Sequence, residues 1–222
     1  KLMLGVIKDE IVAIGEKYRD DRRTKLIQNP GEIDVEDLID EETCVFTLSN
    51  LNYVKRTPLD TYKSQNRGGR GIIGMQTREE DYVKDLFLAS THDTLLFFTN
   101  KGKIFAKKAY RIPEAGRTAK GTNLVNIIEL MDGECVTAII PISEFTEGQF
   151  LTMVTKQGVI KRTLLSAFEY QRKSGKIAIN LDDDDQLVFV RRTYGDCSII
   201  IATHNGQGAR FSENKVSIVS RT

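Results

Sequence analysis

The segment Gln65–Gly71 reads QNRGGRG and has the residue types and spacing best suited to a chemical role. Three of its last four residues are glycine, which lets the backbone approach a phosphate chain closely. Its two arginines carry planar cations that form forked hydrogen bonds with phosphate oxygens. Such a loop contacts the backbone of a nucleic acid rather than its bases. On these residues alone, a flexible surface loop is an equal alternative.

Positive charge is concentrated in three windows of a chain whose net charge is only +1. The windows 55–70, 101–120 and 156–176 contain 5, 7 and 6 basic residues, with one acidic residue each. They carry a net +15, whereas the other residues after position 43 carry a net −9. If the windows fold onto one face, they form a basic track of the kind that binds polyanions. Three solvated turns would give the same pattern.

The composition restricts the class of protein. Of the 222 residues, 40% are hydrophobic and 28% are charged, which suits one or two globular domains rather than a disordered chain. The apolar runs are shorter than the roughly 20 residues that cross a bilayer, and the first residues lack the pattern of a signal peptide. Three widely spaced cysteines, Cys44, Cys135 and Cys197, argue against a disulfide framework. We therefore expect a cytoplasmic protein.

The first 43 residues differ from the rest in charge and periodicity, and they carry a net −5. Residues 1–19 are predicted to be helical, because apolar residues from Leu4 to Tyr18 recur at steps of three and four. No start signal precedes them, so we expect the end of a longer helix. Residues 20–42 are predicted to be an acidic linker that contains the breaker Asn29–Gly31. Residues 43–222 then form the main domain.

Four short apolar runs predict β-strands, and each is followed by a turn and a second run, as in a hairpin. The first runs are Cys44–Leu48, Leu95–Thr99, Phe150–Thr155 and Ser198–Thr203. One turn position recurs at spacings of 50, 56 and 48 residues, and it is occupied by Asn52, Gly102, Gly158 and Gly206. Glycine and asparagine tolerate the positive φ of tight hairpin turns. The sequence therefore predicts a repeat of about 50 residues, within the range of propeller-like blades.

A second glycine-containing segment follows the hairpin in each of the first three repeats. These segments are Gly68–Ile72, Lys120–Leu124 and Ser174–Ala178. The fourth repeat reaches only Arg221 and Thr222, which we interpret as lying before its equivalent segment. The predicted fold class is therefore all-β, with about four antiparallel blades after an N-terminal helix and linker, and we expect a chain truncated at both ends.

This assembly resembles the C-terminal domain of the DNA gyrase A subunit. The signature of that domain is the GyrA box, a Gln-basic-Arg-Gly-Gly-basic-Gly heptad, and six of its seven positions match residues 65–71. The exception is Asn66, which stands where the family usually has Lys or Arg. The resemblance covers nearly the whole chain. Glu16–Thr24 is similar to the family's helix end and linker entry, Ile33–Ile39 to its linker, and Gly158–Thr163 to a degenerate later repeat.

The resemblance implies a β-pinwheel, a disc of antiparallel blades that usually number six, whose basic rim wraps duplex DNA without strong sequence preference. In the family, wrapping gives the DNA a handed writhe and lets gyrase introduce negative supercoils. The residues that we predict to bind DNA are Lys55, Arg56, Gln65, Arg67, Gly68, Gly69, Arg70, Gly71, Lys101, Lys103, Lys107, Lys108, Arg117, Lys120, Lys161, Arg162, Arg172, Lys173 and Lys176.

The resemblance also implies the partners of the chain. These are double-stranded DNA and, in a heterotetramer, the gyrase A core and the gyrase B protein, in the bacterial cytoplasm at the nucleoid and without a membrane. ATP and Mg²⁺ would act elsewhere in that assembly, with no cofactor in this segment. The sequence agrees with a non-catalytic role, because no tyrosine follows an arginine as in the cleavage site of the gyrase core and no Walker-type loop is present.

Other sites and functions are alternatives to this interpretation. His92 and His204 are not spaced with cysteines or acids in a zinc pattern, so no metal site is predicted. Asp182–Asp185 is predicted to be an acidic turn between blades. One alternative function is the C-terminal domain of a topoisomerase IV subunit, which has a degenerate or missing box. Another is a propeller-like scaffold for protein interactions, whose DNA binding would depend little on salt.

Overall fold

A computed structural model describes residues 2–21, 23–24, 34–62, 71, 73–77, 80–170, 172 and 174–221 of the chain. The chain divides into two units, residues 1–37 and residues 38–222. Among the described residues, no helix has both the length and the apolar character needed to cross a membrane.

The first unit contains the helix α1, Leu2–Tyr18, which agrees with the helix predicted from its three- and four-residue spacing. None of its residues is buried, and the apolar side chains of Leu4, Ile7 and Ile11 are all exposed. Farther along, Asp34 accepts a hydrogen bond from the backbone N–H of Glu36, at 3.2 Å. This short-range contact starts a turn of 3-10 helix.

The second unit begins before its first strand. The backbone N–H of Glu42 donates to Thr91 Oγ1 at 3.1 Å, and Thr91 Oγ1 donates to the carbonyl of Asp40 at 2.8 Å. His92 Nε2 lies 2.8 Å from the carbonyl oxygen of Ile39. The last residues of the predicted linker are therefore hydrogen-bonded to a turn of the β unit.

The strands of the second unit form antiparallel sheets that follow the repeat. They are β1 (Thr43–Ser49), β2 (Tyr53–Pro58), β3 (Val83–Ser90), β4 (Thr94–Thr99), β5 (Lys103–Lys108), β6 (Thr122–Asn123), β7 (Val136–Ile142), β8 (Phe150–Thr155), β9 (Ile160–Leu164), β10 (Lys176–Ile177), β11 (Leu187–Thr193), β12 (Ser198–Ala202) and β13 (Gly208–Ser212). Within the described residues there are four sheets, in the orders β3-β1-β2-β6, β7-β4-β5-β10, β11-β8-β9 and β12-β13. The predicted all-β fold is confirmed.

The four hairpins turn at the predicted positions. The φ angles are 61° at Asn52, 73° at Gly102, 89° at Gly158 and 78° at Gly206. This left-handed region is costly for most side chains and accessible to glycine and asparagine. The turn prediction is therefore confirmed in all four repeats.

Successive repeats are linked because a short strand of each crosses to the sheet before it. β6 pairs with β2, with Tyr53 opposite Asn123, and β10 pairs with β5, with Ile104 opposite Lys176. We call residues 112–124, 174–179 and 218–221 the crossing segments. The first and the last also form parallel bridges with the preceding sheet, Glu114 with Arg56 of β2 and Ile218 with Arg162 of β9.

The second glycines of the repeats allow these crossings. Gly121 and Gly175 have φ angles of 83° and 76°. A Cβ on Gly121 would lie 2.5 Å from the carbonyl oxygen of Val54, and one on Gly175 would lie 2.7 Å from the ring of Phe105. Both the backbone conformation and the close approach therefore require glycine.

The core explains why β4 is apolar throughout. Leu95 and Phe97 pack in a cluster with residues of the first sheet, whereas Leu96 and Phe98 pack in a cluster with residues of the third. All four are fully buried. The second sheet thus lies between two apolar layers, and its central strand shows a continuous apolar run instead of alternation.

A buried carboxylate supports each of the first three hairpin turns. Asp81 accepts from the backbone N–H of Leu51 at 2.9 Å, and Asp185 accepts from that of Gln157 at 3.0 Å. Glu134 accepts from Thr99 Oγ1 at 2.6 Å. These acids recur at 53 and 51 residues, a regularity that was not recognised from the sequence. The predicted turn at Asp182–Asp185 is present, and its last residue has this additional role.

Candidate nucleic-acid interface

Two Lys-Arg-Thr triplets occupy the same position in the first and third repeats, in β2 and β9. Lys55, Arg56, Lys161 and Arg162 were all predicted to bind DNA from their charge. Because successive side chains of a strand point to opposite faces, the lysine and arginine of each pair lie in different environments. The structure gives both members of each pair internal partners.

Lys55 is fully buried. Its Nζ donates to the carbonyl of Gly116 at 3.0 Å and to that of Arg117, both in the first crossing segment. Burial lowers the pKa of the Lys55 ammonium, and the nearby charge of Arg117 lowers it further. This placement does not support the predicted contact of Lys55 with DNA, because the side chain does not reach the surface.

Lys161 makes the corresponding contacts in the third repeat. Its Nζ donates to the carbonyl of Ala178 at 3.2 Å and to that of Arg221, in two different crossing segments. Burial lowers the pKa of Lys161, and the charge of Arg221 adds to the effect. Its ammonium holds backbone carbonyls, so its contribution to a site is indirect.

The neighbouring arginines form ion pairs. Arg162 lies 3.3 Å from Glu213 Oε2, and both side chains are almost completely buried. Its guanidinium also lies 4.6 Å from the ring centroid of Phe150. This placement does not support the predicted contact of Arg162 with DNA, because its charge is buried and paired with a carboxylate. Arg56, with 16% of its side chain exposed, pairs with Glu42 at 3.2 Å and Glu114 at 3.3 Å.

Parallel bridges reveal a functional candidate that was not recognised from the sequence. Arg56 bridges Glu114, and Arg162 bridges Ile218. Three residues later, Arg117 and Arg221 present the carbonyls that Lys55 and Lys161 bind. Arg221 is therefore the structural equivalent of Arg117. Since Arg117 precedes Lys120–Leu124, this agrees with the prediction that Arg221 and Thr222 lie before the equivalent glycine-containing segment. The signal was in the sequence, since an Arg-Thr pair recurs at 117 and 221.

The lysines of the second repeat lie on or beside β5 and differ in exposure and in their polar contacts. Lys101 is exposed and donates to the carbonyl of Asp132 at 2.9 Å. Lys103 Nζ lies 4.0 Å from Glu134 Oε2. Lys107 is half-buried, and Lys108 donates to the carbonyl of His92 at 3.1 Å.

Two predicted cations lie on the first crossing segment. Arg117 donates to the carbonyl of Ile73 at 3.1 Å. Lys120 places its ammonium 3.8 Å from the ring centroid of Tyr53, a cation–π contact that orders the side chain while leaving it half-exposed. Both side chains are therefore at the outer edge of the first sheet, next to β6.

Three cations meet in a cavity of about 530 Å³ at the outer edge of the second sheet. It is lined by Tyr170, Arg172, Ser174, Gly175, Lys176, Ile177 and Arg221, so its described lining contains no acidic residue. Partial burial of the ammonium lowers the pKa of Lys176, and the charges of Arg221 and Arg172 lower it further. Cations that repel one another without a counterion favour binding of an anion.

The box and one further predicted residue fall mainly outside the described residues. These are Gln65, Arg67, Gly68, Gly69, Arg70 and Lys173. Gly71, the last residue of the box, is exposed and has a φ of 77°. It thus shares its backbone conformation with Gly121 and Gly175.

Among the described residues, potential metal ligands meet at Asp196, Cys197 and Glu213, whose ligand atoms lie within 4.8 Å of one another. The carboxylate of Glu213 already accepts from the backbone N–H of Cys197 at 2.8 Å and pairs with Arg162. These contacts lower the pKa of Glu213 against the opposing effect of burial. Its charge is therefore accounted for by protein groups.

The repeats correspond to a known family. The model of the DNA gyrase C-terminal domain, beta-propeller, matches residues 45–90, 93–143, 149–193 and 198–222. Each stretch contains the central hairpin of one of the four sheets, and the short strands β6 and β10 of the second and third stretches pair with the sheet before. The chain belongs to this gyrase family. Its crossing segments, the lysines that hold them and the cation cavity are therefore features of a gyrase C-terminal domain.

Curated relatives of the chain are A subunits of DNA gyrase. The protein of Clostridium acetobutylicum is 52% identical over 219 residues, covering 99% of this chain and 26% of the relative. That of Halalkalibacterium halodurans is 46% identical over 220 residues, with 99% and 26% coverage. The chain thus spans about a quarter of the length of these relatives.

Solved structures share the fold. The C-terminal domain of DNA topoisomerase IV has a TM-score of 0.69 and 32% identity, and the match covers 82% of this chain and 55% of that one. A DNA gyrase A C-terminal domain has a TM-score of 0.64 and 27% identity, with 81% and 58% coverage. The predicted β-pinwheel is confirmed. The fold alone does not separate gyrase from topoisomerase IV, whereas the family and the curated relatives indicate gyrase.

Proposed function

We propose that this chain binds duplex DNA along its crossing segments and wraps it with a fixed hand, so that gyrase introduces negative supercoils. The observation that carries the proposal is the cavity where Arg172, Lys176 and Arg221 meet without a described acidic partner. Lys120 and Arg117 lie on the equivalent segment of the preceding repeat. Cations therefore recur at the outer edges of successive sheets.

The chemistry of these segments suits phosphate contacts rather than base recognition. The segments are short and irregular, and their glycines bring backbone close to the neighbouring sheet. Bending a duplex around a small body requires repeated neutralisation of phosphates, which lowers the cost of deforming the DNA. Binding should accordingly tolerate many sequences and weaken steeply as salt rises.

The assembly implied by the family extends beyond this chain. The gyrase A core and the gyrase B protein would form a heterotetramer with it in the bacterial cytoplasm, and ATP and Mg²⁺ would be used outside these residues. The segment then supplies DNA geometry and no chemistry of its own.

The test is a topology-trapping assay. The chain is bound to nicked circular DNA, the nick is sealed with ligase, the protein is removed and the topoisomers are resolved. A linking-number shift that grows with protein concentration is expected for chiral wrapping. Binding without a shift would contradict wrapping, and absence of binding at low salt would favour the scaffold alternative.

A box variant tests the role of the heptad in the same assay. Arg67→Ala combined with Arg70→Ala should reduce the linking-number shift much more than the affinity for linear DNA, because the family ties the box to wrapping. A shift equal to that of the unmodified chain would contradict this role. The same result is what the topoisomerase IV alternative predicts, since its box is degenerate or missing.

A further inference from the structure

The cavity around Lys176 is built from two successive repeats. Arg172 and Lys176 belong to the third repeat, and Lys176 lies in β10, which pairs with β5 of the second sheet. Arg221 belongs to the fourth repeat, whose crossing segment bridges β9 of the third sheet. The three cations therefore come together only where crossing segments of consecutive repeats meet.

Lys161 fixes this meeting point. Its half-buried side chain donates to the carbonyls of Ala178 and Arg221, one from each crossing segment. Lys55 holds Gly116 and Arg117 in the same manner, but both of its partners belong to one segment. Of these two lysines, Lys161 is thus the one that ties together the two segments that line the cavity.

We propose that Arg172, Lys176 and Arg221 form a composite phosphate-binding pocket, and that Lys161 positions it through the carbonyls of both crossing segments. The two guanidinium groups offer paired N–H donors, and the ammonium offers three more. Phosphate oxygens accept hydrogen bonds from both kinds of group. The volume of about 530 Å³ accommodates a phosphate group with its ester oxygens. The proposal rests on the proposed function in taking a backbone phosphate of bound DNA as the ligand.

The first arm uses inorganic phosphate as the probe, at constant ionic strength against chloride. We expect saturable amide NMR shifts at Gly175, Lys176 and Ile177. Lys176→Gln and Arg221→Gln should each weaken phosphate binding about tenfold, the effect of losing a charge-assisted hydrogen bond. Arg210→Gln, an exposed cation of the same fourth repeat on β13, is the matched control and should leave the shifts unchanged. Equal binding by all variants would overturn the pocket.

The second arm measures binding of linear duplex DNA as a function of salt. Each pocket variant should reduce the slope of log affinity against log salt by about 0.9, the value for one lost phosphate contact. Variants that lose phosphate but keep the full DNA slope would show a pocket for free phosphate and overturn its assignment to DNA. A chain that binds phosphate but no DNA would overturn the proposed function while leaving the pocket intact.

The third arm separates positioning from stability. Lys161→Met and Lys55→Met remove ammonium groups at equivalent positions of two repeats, and each variant loses two hydrogen bonds to backbone carbonyls. Only Lys161→Met should weaken phosphate binding at Gly175–Ile177, because only Lys161 holds both lining segments. Equal weakening in the two folded variants, or none in Lys161→Met, would overturn the positioning role.

Discussion

At each junction between successive repeats, one strand residue packs against the crossing segment of the next repeat. The residue at this position is a lysine at two junctions and a phenylalanine at the junction between them. At the first junction, Lys55 of β2 faces the crossing segment and donates to its carbonyls. At the second, Phe105 of β5 occupies the equivalent position, and its ring packs against Gly175. The third junction returns to a lysine, Lys161. A polar and an apolar residue therefore alternate at a single position of the repeat.

The difference teaches that local cation density does not by itself identify the cations that are free of internal partners. Each junction lysine is followed by an arginine with an acidic partner, Glu114 for Arg56 and Glu213 for Arg162. At the apolar junction the following residue is Ala106, which requires no such partner. The lysine and arginine of the polar junctions thus have internal partners, whereas the described lining of the cavity around Lys176 offers none of acidic type.

We expect the largest loss of stability at the polar junction whose ion pair is most buried. Glu213→Ala would leave Arg162 as an unpaired buried charge and should lower the free energy of unfolding by about 3–5 kcal/mol. Glu114→Ala, which removes a half-exposed partner of Arg56, should cost about 0–1 kcal/mol. Urea denaturation of both variants gives the comparison. Equal losses would contradict the distinction between the buried and exposed pairs.

A substitution of Gly175 tests the packing at the apolar junction. Gly175→Ala combines an unfavourable positive φ with a Cβ placed against Phe105, so we expect a loss of about 2–4 kcal/mol. Gly158→Ala has the same φ problem in open space and should cost about 1–2 kcal/mol. Thermal and urea unfolding measure the difference. A Gly158 variant as unstable as the Gly175 variant would show that close packing at the junction contributes nothing.

The sequence contained enough information for the fold class, the hairpins and the helix, because these depend on local periodicity and on turn residues such as Asn52 and Gly102. It did not reveal the crossings, since β6 and β10 have two residues each and their pairing is set by the neighbouring sheet. For the same reason Lys55 was wrongly placed at the surface. Its environment is created by the carbonyls of Gly116 and Arg117, about 60 residues away in the chain.

The surroundings disfavour the charged form of a junction lysine and favour the charged form of a turn aspartate. Burial lowers the pKa of Lys55, so its charged form is disfavoured. Hydrogen bonds from Ser49 and from backbone N–H groups outweigh burial and lower the pKa of Asp81, so its charged form is favoured. The charge of Asp81 is therefore stabilising, whereas the junction lysines carry a desolvation cost.

Asp81→Asn tests this contrast. Because the folded-state pKa of Asp81 is lowered, its stabilisation is present above the unfolded value of about 3.9 and is lost as the pH falls through the folded value. The variant should be about 1–2 kcal/mol less stable at pH 7, and the difference should shrink below about pH 4. Asp60→Asn, at an exposed position, is the control. A difference between Asp81→Asn and the unmodified chain that is independent of pH would contradict the role of the charge.

The smallest predicted effect concerns DNA binding. It distinguishes a cation of a junction, Arg56, from a cation of a crossing segment, Lys120. Lys120→Gln should reduce the slope of log affinity against log salt by about 0.9, because its half-exposed ammonium is free of acidic partners within hydrogen-bond distance in the described residues and stacks on Tyr53. Arg56→Gln should leave the slope unchanged, since its charge is balanced by Glu42 and Glu114. Fluorescence anisotropy with a linear duplex at several salt concentrations measures both. If Arg56→Gln lowered the slope as much as Lys120→Gln, the ion pairs of the first junction would have to open when DNA binds.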